Sequence, residues 1–118
     1  MIQIKRVYDP AAAGDGRRFL IERLWPRGIK KTDLKIEGWV KEAGPSTELR
    51  KWFNHDPAKW DGFRQRYSRE LDKRPSVWRP ILAASEGGTV TLIYSSHDAQ
   101  YNNAVALAEY LKKKTSAR

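Results

Sequence analysis

Arginine carries a planar fork of donors that matches phosphate and carboxylate oxygens, so two arginines at one strand end form a candidate anion clamp. This chain has such a pair in Arg23-Leu24-Trp25-Pro26-Arg27-Gly28. The hexapeptide follows the apolar run Phe19-Leu20-Ile21. Pro26 cannot donate to a sheet ladder and Gly28 tolerates unusual dihedrals, so a strand ends here. Trp25, between the arginines, offers a ring to stack on a base or to wall a pocket. Each residue also has a structural role to weigh. Arg23 paired with Glu22 or Asp9 staples a sheet edge, and Trp25 packs in a core.

Ser95-Ser96-His97-Asp98 forms the second candidate set. It contains the residue types of a hydrolase triad, but consecutive residues beyond a strand point in different directions and make no relay by adjacency. Ser96 or Asp98 reads better as the N-cap of the last helix, with the strand–loop–helix junction open to a ligand. Asn102 and Asn103 stand early in that helix, where asparagine has poor propensity. They either bond neighbouring loops or face the pocket. Secondary candidates are Tyr8 and Asp9, at the end of the first strand, and Ser46, Thr47 and His55. Ser46 and Thr47 open a helix whose N–H groups accept an ordinary cap or an anion. His55 is a candidate general base or a surface histidine beside the helix-capping Asp56. None of these residues earns a catalytic assignment.

Two histidines far apart, no cysteine and no clustered carboxylates leave no metal site of recognisable spacing, and no cofactor motif is present. The absence of cysteine also removes disulfides and thiolate chemistry, which makes a reducing cytoplasm the expected location. No apolar run reaches the roughly 18 residues of a membrane span.

The elements that position these residues read as strands separated by helices. Ile2, Ile4 and Val7 mark a first strand that stops at Asp9-Pro10. A second is expected from Arg18 to Trp25, and the β-branched, uncharged segment Thr89–Ser95 is the clearest strand. Between them, Ile36, Trp39, Val40 and Ala43 fit a short amphipathic helix, and Thr47–Phe53 forms another, capped by Ser46. Trp60, Phe63, Tyr67 and Leu71 recur at helical spacing behind the Asp56 cap and Pro57. Pro75 opens a helix closed by Gly87-Gly88. The last helix is expected from Ala99 to Lys113, and residues 110–118 include a basic, frayed tail.

These elements predict one α/β domain over residues 1–118, a small and mainly parallel sheet of about three or four strands covered by helices with Rossmann-like layering. In such sheets ligands gather beyond the carboxyl ends of the strands. Whether the first two strands are parallel or a hairpin stays open, because the connection Asp9–Arg17 is short for a crossover.

Several strings together resemble a known family. They are Arg23–Gly28, Ala43-Gly44-Pro45-Ser46-Thr47-Glu48-Leu49-Arg50-Lys51-Trp52-Phe53, His55-Asp56-Pro57 with Trp60, Val90–Tyr94, and Asn102-Asn103-Ala104. Over nearly its whole length the chain resembles the YeaO-like branch of the bacterial domain of unknown function family 488. Longer relatives have a full helix between their first two strands, which implies that Asp9–Arg17 is a shrunken crossover. The family is functionally uncharacterised, so the resemblance implies a fold and no reaction. Two positions depart from its common pattern: Glu22 stands where Asp is usual, and His97 where Lys is usual.

The net charge is +9, and residues 1–31 hold eight Lys/Arg against three Asp/Glu. That bias points to an anionic partner. The first expectation is an anionic small molecule held by Arg23 and Arg27, with Trp25, Ser95, Ser96, His97, Asp98, Asn102 and Asn103 around it. The protein would then be a binder of, or an enzyme on, a phosphorylated or nucleotide-like ligand. One alternative is a nucleic-acid-binding module using a basic face with Arg50, Lys51, Arg64, Arg66, Arg69, Lys73 and Arg74, although Glu48, Asp61, Glu70 and Asp72 interleave there and no nucleic-acid motif is present. The other is a non-catalytic interaction protein. Oligomeric state is left open.

Overall fold

The computed structural model describes residues 1–116. Its centre is a four-stranded, all-parallel sheet built from β1 (Ile2–Arg6), β2 (Arg17–Leu20), β3 (Gly38–Trp39) and β4 (Val90–Tyr94), in the order β1-β4-β2-β3. The last strand in sequence therefore lies inside the sheet, and all five of its residues are buried. An interior strand must be apolar on both faces, which is why Val90-Thr91-Leu92-Ile93-Tyr94 lacks charge. Ile2–Arg6 pairs with Val90–Tyr94 on one side, and Arg17–Leu20 pairs with Val90–Ile93 on the other.

Both neighbours run parallel to β4, so the connection 7–16 is a crossover and not a hairpin. It carries a single 3-10 turn, Ala13–Asp15, and ends at Gly16 with φ +63°. A Cβ on Gly16 would stand 2.2 Å from the Thr89 carbonyl oxygen, so only glycine fits.

The two sheet faces differ. Val90, Leu92, Tyr94, Phe19 and Ile21 face the main core, where α1 (Thr47–Phe53), α2 (Trp60–Asp72), α3 (Pro75–Gly87) and α4 (Asn103–Ser116) supply Phe53, Phe63, Tyr67, Leu82, Leu107 and Leu111. Tyr67 donates its hydroxyl to the Ala43 carbonyl, anchoring α2 to the segment before α1. On the other face Val7, Leu20 and Ile93 are covered by Trp25, Ile29, Leu34, Ile36 and Trp39. A mostly irregular segment thus covers the face where a doubly wound fold carries helices.

That second face also holds a charged knot. Asp15 is buried and receives Lys5 Nζ at 2.8 Å and Arg18 Nη1 at 2.5 Å. Hydrogen bonds from Lys5 and from the Ala12 N–H bring its pKa down to about 2, against the cost of burial. The knot ties the crossover to β1 and β2.

Three expected elements need correction. Ile36 to Ala43 is not an amphipathic helix: Gly38–Trp39 forms edge strand β3, followed by a 3-10 turn at Lys41–Ala43. Ile36 and Trp39 cover the second face while Val40 packs on the main core, and Gly38 is a poor helix former. Strand β2 ends at Leu20 instead of Trp25, because beyond Ile21 the chain leaves the ladder to wrap the sheet end. The last helix begins at Asn103, since Asp98 holds residues 100 and 101 in a preceding loop. It continues to Ser116, beyond the expected end at Lys113; of the tail expected to fray, Ala117 and Arg118 lie outside the described residues.

Candidate functional site

A cavity of about 480 Å³ opens beyond the carboxyl ends of the strands. Tyr8 follows β1, Glu22 and Leu24 to Arg27 follow β2, and Ser95 and Ser96 follow β4. Asn102 and Asn103, at the start of α4, reach it from one side. Arg50, Lys51 and Phe53, from the last turn of α1, reach it from the other. Parallel strands and their following loops thus converge on one rim, where a ligand site is expected.

On its wall, Glu22 meets the end of β4. Glu22 Oε1 accepts the Ser95 N–H at 2.8 Å and the Ser95 hydroxyl at 3.1 Å. Burial raises the Glu22 pKa above its ordinary value, although both Ser95 bonds and the nearby Arg50 and His55 charges oppose the shift. Among the described residues Glu22 Oε2 has no hydrogen-bond partner and no cation stands within ion-pair distance of the carboxylate.

The loop after β2 sends its two arginines to different tasks. Arg23 Nε donates to the Gly44 and Pro45 carbonyls, at 3.2 and 2.8 Å, and its side chain does not line the cavity. Arg27 does line it, and its side chain has no hydrogen-bond or ion-pair partner among the described residues. The Arg27 carbonyl accepts the Tyr8 hydroxyl at 3.0 Å, which pins the loop to the end of β1. Trp25 serves both core and cavity: it lines the wall, donates Nε1 to the Ile29 carbonyl at 2.6 Å, and meets Trp39 edge-on at 5.1 Å.

The four residues after β4 also separate. Ser95 and Ser96 line the cavity, whereas His97 and Asp98 do not. His97 Nδ1 lies 3.3 Å from Arg6 Nη2, and Arg6 Nε donates to the Ser96 carbonyl at 2.9 Å. Asp98 accepts the Gln100 and Tyr101 N–H groups at 2.9 and 3.0 Å, and these bonds lower its pKa. Asn102 caps α4 by accepting the Val105 N–H at 3.0 Å and donates to the Asp98 carbonyl at 2.8 Å. Asn103 Nδ2 donates to the Ile21 carbonyl at 2.8 Å, so α4 is stitched directly to the end of β2.

The secondary candidates divide similarly. Tyr8 and His55 line the cavity, while Asp9, Ser46 and Thr47 do not. At the start of α1 Ser46 accepts the Leu49 N–H at 3.1 Å. An anion does sit there, and it is internal: Glu70 accepts the Ser46 N–H and hydroxyl at 2.8 and 2.5 Å. Asn54 and His55 turn the chain sharply after α1 with φ values of 47° and 55°. The αL residue Asn54 is a common helix stop, but a second left-handed residue is costly and recurs where a site demands it.

Glu22, Phe53 and Tyr101 are cavity residues that the sequence did not single out, and Arg50 and Lys51, expected on a basic nucleic-acid face, line the cavity as well. Arg50 and Lys51 had a signal, since they stand in the last turn of a helix that stops at Asn54-His55. Glu22 had one too, as an acid immediately after a fully apolar run.

Among the described residues no helix is long and apolar enough to cross a membrane, and no three acidic, histidine or cysteine side chains cluster to hold a metal. No solved structure matches the chain. It is 45% identical over 111 residues to uncharacterised protein YeaO of Escherichia coli strain K12, covering 94% of this chain and 96% of the relative. It is 33% identical over 110 residues to uncharacterised protein Rv3073c of Mycobacterium tuberculosis strain H37Rv, covering 93% and 92%. Uncharacterised protein Mb3100c of Mycobacterium bovis matches to the same extent. The family model described as the inactive DUF488-N3 subclade matches residues 1–118 in full, and the chain belongs to that family.

Proposed function

We propose that the rim cavity binds an anionic small molecule, of the phosphorylated or nucleotide-like class, without converting it. The observation that carries this is the set of cations facing the cavity. Arg27, Arg50 and Lys51 line it, and among the described residues none of the three side chains has a hydrogen-bond or ion-pair partner. Arg17 and Arg64 are engaged elsewhere, by Glu37 and by Asp61 and Glu109, whereas the cavity cations are left to meet a ligand. Unpaired cations gathered at a concave strand rim suit an incoming anion.

Binding without turnover agrees with the arrangement of the polar groups. The Glu22 oxygen that accepts the Ser95 hydroxyl also holds the Ser95 N–H, which makes the pair a brace for the strand end. His97 and Asp98 are occupied outside the cavity. The family description as an inactive subclade accords with this role.

Pyrophosphate is a suitable probe for calorimetric titration at low salt. Arg27→Ala and Arg50→Ala are each expected to weaken its binding by about 10- to 100-fold, the worth of a charge-assisted hydrogen bond. Unchanged affinity in both variants overturns the proposal.

A further inference from the structure

We infer that the cavity selects a ligand bearing both an anionic group and a protonated amine, with the amine held by Glu22 Oε2. The inference rests on the anion-binding role proposed above and adds the second half of the ligand. The wall of a cavity that receives a simple anion has no use for a carboxylate, because like charges at close range repel. Yet Glu22 lines this cavity beside Arg27, Arg50 and Lys51.

Arg50 and His55 act on it through space, but no close ion pair accounts for it among the described residues. Ser95 satisfies Oε1 twice, at 2.8 and 3.1 Å, and fixes the carboxylate in place. Oε2 has no partner among the described residues, and none of the three cavity cations is within ion-pair distance of it. A half-satisfied carboxylate on a cavity wall is an acceptor awaiting a donor. Held rigidly by Ser95, it discriminates for an amine and against an unsubstituted anion, since the wrong ligand leaves it desolvated and unpaired.

Trp25, Phe53 and Tyr101 supply ring surface on the same walls. The chemical class that fits is therefore a planar organic phosphate carrying an amino group.

A matched pair of probes tests this: pyridoxamine phosphate and deoxypyridoxine phosphate, which differ by an amine against a hydrogen on one methyl carbon. The wild-type protein is expected to bind the aminated probe at least about tenfold more tightly, by calorimetry or nuclear magnetic resonance. Glu22→Gln should abolish that preference, leaving affinity for deoxypyridoxine phosphate equal to or higher than in the wild-type protein, and its circular dichroism spectrum should match wild type. Arg27→Ala should weaken both probes alike. Equal affinity of the wild-type protein for the two probes, with Arg27→Ala still weakening both, overturns the amine site and leaves the anion site standing. Failure of both probes to bind at millimolar concentration overturns the anion site as well.

Discussion

Glu22 and Ser95 join the ends of two adjacent strands: one carboxylate oxygen accepts both the backbone N–H and the hydroxyl of Ser95, at 2.8 and 3.1 Å. The contact fixes the loop after β2 against the loop after β4 on the wall of the cavity. Burial raises the pKa of this acid, and the two Ser95 bonds oppose that shift.

That shift has a definite sign for stability. A glutamate whose folded pKa is raised favours the folded state most when protonated, so its contribution is present below its ordinary pKa and lost as pH rises through the folded value. The ionised form is therefore less favourable to the fold than the protonated one. Glu22→Gln keeps an oxygen to accept from Ser95 and is expected to move the urea midpoint upward at pH 7. The gain should shrink towards pH 4. A variant less stable than wild type at pH 7 contradicts this assignment.

Asp15 has the opposite sign. Its pKa is lowered to about 2 by Lys5, the Ala12 N–H and Arg18. Its stabilisation is complete above the ordinary aspartate value near 3.8 and is lost as pH falls through about 2. Asp15→Asn should flatten the pH dependence of stability in that window, read from urea midpoints. At neutral pH, Asp15→Ala should cost about 3 kcal/mol, because it strands the buried Arg18 without its carboxylate.

Arg23 and Arg27 should separate cleanly by experiment. Arg23→Ala removes the donor shared by the Gly44 and Pro45 carbonyls and should cost about 1–2 kcal/mol of stability. Arg27→Ala removes an exposed side chain with no partner, so its midpoint should stay within about 0.5 kcal/mol of wild type. Anion affinity should fall in the second variant. Loss of stability in Arg27→Ala would contradict its role as a ligand-facing cation.

Gly16→Ala tests the crossover. Positive φ and a 2.2 Å approach to the Thr89 carbonyl leave no room for a methyl group. At least about 2 kcal/mol should be lost in chemical denaturation, since the backbone of two strands must part to admit the Cβ.

How far the sequence announced all this depends on how local each signal is. Val90–Tyr94 was legible as a strand because β-branched, uncharged residues have few other uses. The Trp60, Phe63, Tyr67, Leu71 stripe was legible because helical spacing appears directly in the sequence. Gly38–Trp39 was not: its two residues form a strand only because β2 lies alongside, and their apolar neighbours fit a helix almost as well. The rim loops were recognisable by composition, yet the different fates of Arg23 and Arg27 were not. Whether an arginine meets a carbonyl or a cavity depends on Gly44 and Pro45, which are distant in sequence. The same limit placed Arg50 and Lys51 on a basic helix face instead of at the rim, since their place there follows from where α1 docks.

The central claim, an anion site at the strand rim, is tested most directly by titrating pyrophosphate into the isotopically labelled protein and mapping amide shifts by nuclear magnetic resonance. The expected result is saturable shifts concentrated at Glu22, Arg27, Arg50, Ser95 and Ser96, abolished in the Arg27→Ala/Arg50→Ala double variant. Shifts scattered over the basic surface and unchanged in that variant would contradict it.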